Sequence, residues 1–111
     1  EFIAVRHLKK NGYKILEQNY RNKLGEIDII AKDKDTLVFV EVKARKSDLF
    51  GNPKWALTPK KQRKISMVAL YYLKATKQYN VKARFDVVSI SSEENKPKLE
   101  IIKNAFELAY G

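Results

Sequence analysis

The chain has 111 residues, with 23 Lys plus Arg against 13 Asp plus Glu, a net charge of +10 and a sequence pI near 9.8. That length predicts one domain over residues 1–111, and the absence of cysteine excludes disulfides and thiolate zinc sites. No apolar run nears the ~20 residues that span a bilayer and no secretory leader is visible, so a cytoplasmic protein without a membrane partner is expected, its positive charge suited to nucleic acid.

Residues 1–11 read as a helix with a rough apolar stripe of Phe2, Ile3, Val5 and Leu8, and Gly12 is a plausible stop. Tyr13 to Asn19 can form a first strand, residues 20–25 a basic turn, and Glu26 to Lys32 a second strand. Asp33-Lys34-Asp35 reads as a turn and Thr36 to Ala44 as a third strand. Residues 45–58 read as a long loop, of the kind that often carries function in a small domain. A helix is predicted from Thr58 as N-cap and Pro59 in the first turn, with Ile65, Val68, Ala69, Tyr72 and Leu73 on its apolar face. Ala83 to Ile90 reads as a fourth strand, Ser91 to Pro97 as a polar turn, and Leu99 to Ile102 as the start of a last strand. The fold class is α/β or α+β, with the order α-β-β-β-α-β-β.

Two strands carry the chemistry. With period two, Leu37, Phe39, Glu41 and Lys43 share one face of the third strand, and Val38, Val40 and Val42 share the other. Both faces start apolar, which predicts a central strand covered on both sides. On the second strand Glu26, Asp28 and Ile30 share a face, opposite Ile27, Ile29 and Ala31. A hairpin loop over Asp33 to Thr36 sets Lys32 against Leu37 and Asp28 against Glu41; a two-residue loop at Asp33-Lys34 sets Glu26 against Glu41. Either register gathers acids and lysine on one face. Like charges placed opposite one another destabilise a sheet, so a metal ion, a shared proton or the lysine must offset them. Mg²⁺ typically takes one or two carboxylates, water and phosphate oxygens. A hard cation held by Asp28, Glu41 and Glu26, with Lys43 orienting water or neutralising charge on phosphorus, is therefore one reading. A solvated ion-pair cluster at strand ends is the other.

Asn19-Tyr20-Arg21, Gly25-Glu26-Ile27-Asp28, Phe39-Val40-Glu41-Val42-Lys43, Arg84-Phe85-Asp86-Val87-Val88 and Asn104-Ala105-Phe106 closely resemble the YraN family of small bacterial proteins, over essentially the whole chain. That family is itself similar to archaeal Holliday junction resolvases and to the restriction-endonuclease-like fold, whose signature is an acid followed by Glu-x-Lys. The resemblance implies a mixed central sheet flanked by helices. It also implies Asp28 and Glu41 as ligands of Mg²⁺ or Mn²⁺, and Lys43 as the catalytic lysine. Glu1 falls where resolvase-like members carry a helical glutamate. The wider signature often has proline before the aspartate, where this chain has Ile27. A homodimer and products with a 5′-phosphate are further implications.

Lys60, Lys61 and Lys64 crowd the first turns of the second helix, where cations oppose the helix dipole; such a placement suggests phosphate binding. Arg21 and Lys23 precede the second strand's acids, and Arg45 and Lys46 follow Lys43, so these four are further candidates for gripping a nucleic-acid backbone. Trp55 could stack on bases or close a core. His7 reads as a surface residue and Asp86 as the ion-pair partner of Arg84 or a lysine. The leading expectation is a metal-dependent endonuclease acting on DNA, with branched or damaged DNA among its candidate substrates. The alternatives are a non-catalytic nucleic-acid-binding module and a protein-interaction domain with a structural ion-pair cluster.

Overall fold

The first element, α1 (Phe2–Lys10), buries Ala4, Val5 and Leu8, the spacing that one face of a short helix provides. It stops where Gly12 adopts φ 90, a left-handed turn that costs a glycine little. The computed structural model describes residues 2–44 and 57–108. Within them follow β1 (Tyr13–Asn22), β2 (Gly25–Asp33), β3 (Thr36–Ala44), α2 (Pro59–Ala75), β4 (Lys82–Glu93) and β5 (Lys96–Phe106). The element order is the expected one.

The five strands form one sheet in sequence order. Only β3 and β4 run parallel; the other neighbours are antiparallel. β3 is central, and its residues Leu37, Val38, Phe39 and Val40 are all buried, so both of its faces are covered as its unbroken apolar run predicts. On one face α1 closes over Tyr13, Ile29, Ala31, Val38, Val40 and Val88. On the other, Ile65, Val68, Ala69 and Tyr72 of α2 close over Ile27, Ile30, Leu37, Phe39 and Phe85. Edge-to-face contacts of Tyr72 with Tyr20 and Phe39, with ring centroids 5.0 and 5.9 Å apart, seat α2 on the sheet.

The β2–β3 register pairs Lys32 with Leu37 and Asp33 with Thr36, the first of the two alternatives, so Asp28 stands level with Glu41. The ladder ends at Ile29 and Val40 while β2 stays paired to β1 as far as Gly25 and Asn22. Strict alternation fails at this parting. Ile27 joins Ile30 in the α2 core, although period two places it with Ile29 on the other face. Released from β3, β2 rotates with β1 and carries Ile27 under the helix.

Two predicted loops are strand. β1 runs on to Asn22 and turns within Lys23–Leu24, where the Leu24 amide donates to the Asn22 side-chain oxygen at 2.8 Å. The polar stretch from Ser91 to Pro97 is a hairpin tip, with β4 and β5 paired as far as Glu93 and Lys96. Its turn residues Glu94 and Asn95 have φ 52 and 62, the twist that two-residue hairpins favour. Pro97 is tolerated because β5 is an edge strand. Polarity in these segments marked exposure, not loss of strand.

Candidate metal centre

Where β2 leaves β3, a side chain takes over from the backbone ladder. Asp28 Oδ2 accepts the Val42 amide at 2.8 Å, tying the parted strands together. The same carboxyl lies within hydrogen-bonding reach of Glu41. Period two on β3 puts Glu41 after Phe39 at the rim of the α2 core, with its side chain only 11% exposed. Burial pushes the Glu41 carboxyl up to about 8, and the hydrogen bond and charge of Asp28 add to the rise, while Lys61 opposes it. Burial and the neighbouring carboxyl together favour a proton shared by the pair.

The Lys61 ammonium stands 3.2 Å from Glu41 Oε2. It reaches there because Thr58 starts α2 at the right place: its hydroxyl accepts the Lys61 amide at 3.1 Å, and Pro59 fills the first turn. The Gln62 side-chain Nε2 donates to the Leu57 carbonyl at 2.9 Å and braces the approach to the helix. Glu41, Lys43, Thr58 and Lys61 line one cleft, so the Glu-x-Lys pair faces α2 together, as alternation requires. Ser89, buried, lies beside Lys43 in the parallel register and was not singled out in the sequence.

Glu26 lies apart from the pair in its bonding. Its Oε2 accepts from Arg21 Nη2 at 2.6 Å and Nε at 3.0 Å, because the two residues face each other across β1 and β2. Among the described residues no three His, Cys, Asp or Glu side chains gather in a way that could hold a metal. The carboxylates that meet are thus Asp28 and Glu41. Two carboxylates without imidazole or thiolate fit a hard cation that completes its shell with water and phosphate oxygens.

A second cleft adjoins the first. Arg21, Lys23, Glu26, Lys61 and Lys64 line it, between the β1–β2 turn and α2. Gly25 permits the close approach: a Cβ there would stand 3.1 Å from Val68 Cγ2 and 3.3 Å from Lys64 Cε. The Lys23 ammonium sits 5.9 Å from the Tyr71 ring centroid. Lys60 is exposed on the first turn of α2 and lines neither cleft. Glu1, Arg45, Lys46 and Trp55 lie outside the described residues.

A polar network occupies the opposite face of the sheet. The fully buried Asp86 accepts from Tyr13 Oη at 2.7 Å, Arg84 Nε at 2.9 Å and the Asn104 amide at 3.0 Å. Arg84 also reaches Asp33 Oδ2 at 2.6 Å, which with Lys103 lowers the Asp33 pKa. Burial, reinforced by Asp86, raises the Tyr13 pKa. Asn104 donates to Asp86 because β5 bulges there: the register slips between Phe85 and Val87, and Asn104 takes φ 53. Arg84 and Asp86 pair as their spacing predicts; Tyr13 and Asn104 join them from far along the chain, with only the buried phenol, which needs a partner, as a hint.

A model of a family described as "Uncharacterised protein family UPF0102" matches residues 1–90. A UPF0102 protein of Syntrophus aciditrophicus is 53% identical over 111 residues, covering 100% of this chain and 87% of the relative. A UPF0102 protein of Desulfosudis oleivorans is 54% identical over 107 residues, covering 96% and 85%. Among solved structures, Pyrococcus furiosus SfsA in complex with Ca²⁺ aligns with a TM-score of 0.43 and 12% identity, over 92% of this chain and 58% of that one.

Proposed function

The chain belongs to the uncharacterised protein family UPF0102, and we propose that it is a metal-dependent endonuclease that hydrolyses phosphodiester bonds of DNA. The observation that supports this reading is the pairing of Asp28 with Glu41 at the parted ends of β2 and β3, beside Lys43 and under the N-terminus of α2. Two carboxylates forced together, one of them pushed up by burial and by its neighbour, make a site that a divalent ion relieves.

Asp28 and Glu41 would hold Mg²⁺ or Mn²⁺. When bound, the ion supplies Lewis acidity toward the phosphate and lowers the pKa of water. Lys43 would orient the attacking water or neutralise charge that develops on the phosphorane. Arg21, Lys23 and Lys64 would hold flanking phosphates without reading bases. Glu26, joined to Arg21, would be accessory, and Glu1, Arg45, Lys46, Lys60, Lys61 and Trp55 complete the proposed set. Branched or damaged DNA as substrate, a 5′-phosphate product and a homodimer belong to the same proposal.

A second reading has its own observation. The Lys61 ammonium already neutralises Glu41, so the carboxylates would persist in a nucleic-acid-binding module that never cuts. The test is cleavage of end-labelled linear, flap and four-way-junction DNA in Mg²⁺, Mn²⁺ or EDTA, with Glu41→Gln beside wild type. Metal-dependent cutting lost in Glu41→Gln is expected. Binding without cutting in every metal overturns the nuclease reading in favour of the binding module, and neither binding nor cutting leaves an ion-pair cluster in a protein-interaction domain.

A further inference from the structure

Lys61 stands between the two roles of the site, carboxylate partner and phosphate-binding cation. Its ammonium contacts Glu41 at 3.2 Å, yet its side chain is 49% exposed against 11% for the glutamate. One partner is anchored and the other is held at a single end. Lys61 is also the residue shared by the carboxylate cleft and the basic cleft of Arg21, Lys23 and Lys64. Its backbone is fixed by the Thr58 cap, so four methylenes can swing while the helix stays still.

We propose that Lys61 is an exchangeable counter-ion: it balances the charge left on the proton-sharing Asp28–Glu41 pair through its contact with Glu41, and on binding of a divalent cation it moves into the basic cleft, where it binds a nucleic-acid phosphate. This rests on the metal-dependent reading above. An ammonium at 3.2 Å from Glu41 Oε2 and a dication on the same carboxylate repel one another at short range. The displaced side chain has a second place to go, in the cleft lined by Lys23, Lys64 and the Arg21–Glu26 pair. Metal loading thereby adds one positive charge to the phosphate-binding cleft. By linkage, nucleic acid in that cleft tightens the metal site by the same factor. The protein would engage DNA fully only when charged with metal.

The test measures Mn²⁺ binding to the full chain by electron paramagnetic resonance, without DNA, for wild type, Lys61→Met and Lys64→Met. Removing a competing, half-exposed ion-pair partner is expected to tighten Mn²⁺ by about two- to fivefold. The rise is expected to be smaller in Lys64→Met, which removes the same charge without a partner on Glu41. Affinity for a short phosphorothioate duplex is then measured with and without Mn²⁺. Wild type should gain affinity with the metal, and Lys61→Met should lose that gain. Unchanged or weaker Mn²⁺ binding in Lys61→Met, an equal rise in Lys64→Met, or a duplex gain that survives Lys61→Met overturns the exchange. A protein that binds Mn²⁺ and never cuts ends the nuclease reading and leaves the exchange standing. Mn²⁺ affinity insensitive to Lys61 does the reverse.

Discussion

Asp28 and Glu41 meet through their carboxyl groups at the one point where two paired strands separate. Glu41 is pushed from its ordinary 4.5 up to about 8, first by burial and then by Asp28. The folded chain therefore binds more protons than the unfolded chain between those two values. Stability falls as pH rises through that window and levels off above it, the reverse of a salt-bridged acid. Thermal unfolding followed across the window should show this decline in wild type and a flatter profile in Glu41→Gln. A wild-type profile that rises from 4.5 to 8 would contradict the shared-proton arrangement.

Cation binding at the same pair must expel that proton. At pH 7, calorimetric titration with Mn²⁺ in buffers of different ionisation enthalpy should report release of close to one proton per metal. Glu41→Gln should release none, together with a large loss of affinity.

Gly25 is where α2 comes closest to the β1–β2 turn. Its φ of +154 and the 3.1 Å that a Cβ would leave to Val68 Cγ2 make Gly25→Ala a strained, overpacked change. A loss on the order of 1–2 kcal/mol in urea unfolding is expected. DNA affinity should fall with it, since Lys64 packs against the same spot.

Phosphate contacts reveal themselves through salt. Lys23→Met and Lys64→Met should each weaken binding evenly across sequences and flatten the dependence of log affinity on log salt by about one. Fluorescence titrations at several salt concentrations read this directly, and an unchanged slope removes the residue from the phosphate-binding set.

The Asp86 network is expected to serve stability alone. Asp86→Ala leaves Arg84 with Asp33 as its acid partner, removes the acceptor of the Tyr13 hydroxyl and the Asn104 amide, and should cost roughly 3–5 kcal/mol. Tyr13→Phe leaves Arg84 and the Asn104 amide in place and should cost about 1.5–3 kcal/mol, the range for a hydrogen bond to a charged group. Chemical denaturation separates the two variants. Mn²⁺ affinity of folded Tyr13→Phe should match wild type, because the network lies on the face of the sheet away from Glu41.

Period-two patterning was strong enough to place Glu41 and Lys43 on one face and to make β3 central, because four consecutive buried apolar residues admit little else. The Asp28–Glu41 register was legible as one of two alternatives, and the turn at Lys34–Asp35 selected it. Glu26 was harder to read: its neighbour was fixed by the pairing with β1, which depends on how far β1 continues past Asn19. The reversal of Ile27 and the bulge at Asn104 had no local signal. Ile27 reverses where β2 has parted from β3 and stays paired with β1, and the bulge at Asn104 lies in an edge strand paired with β4 alone. The long polar hairpin of β4 and β5 was missed for a plainer reason: strands that outrun the helices have no apolar face to advertise them.

Asp28 has two oxygens and the fold has already spoken for one. Oδ2 accepts the Val42 amide, so this oxygen is committed to holding the strand ends together. Asp28→Asn can keep the clasp through its carbonyl while deleting the charge; Asp28→Ala deletes both and lets the strand ends drift. An inactive alanine variant at this position would thus report on a loosened sheet as much as on lost chemistry, and the asparagine is the substitution whose silence can be interpreted.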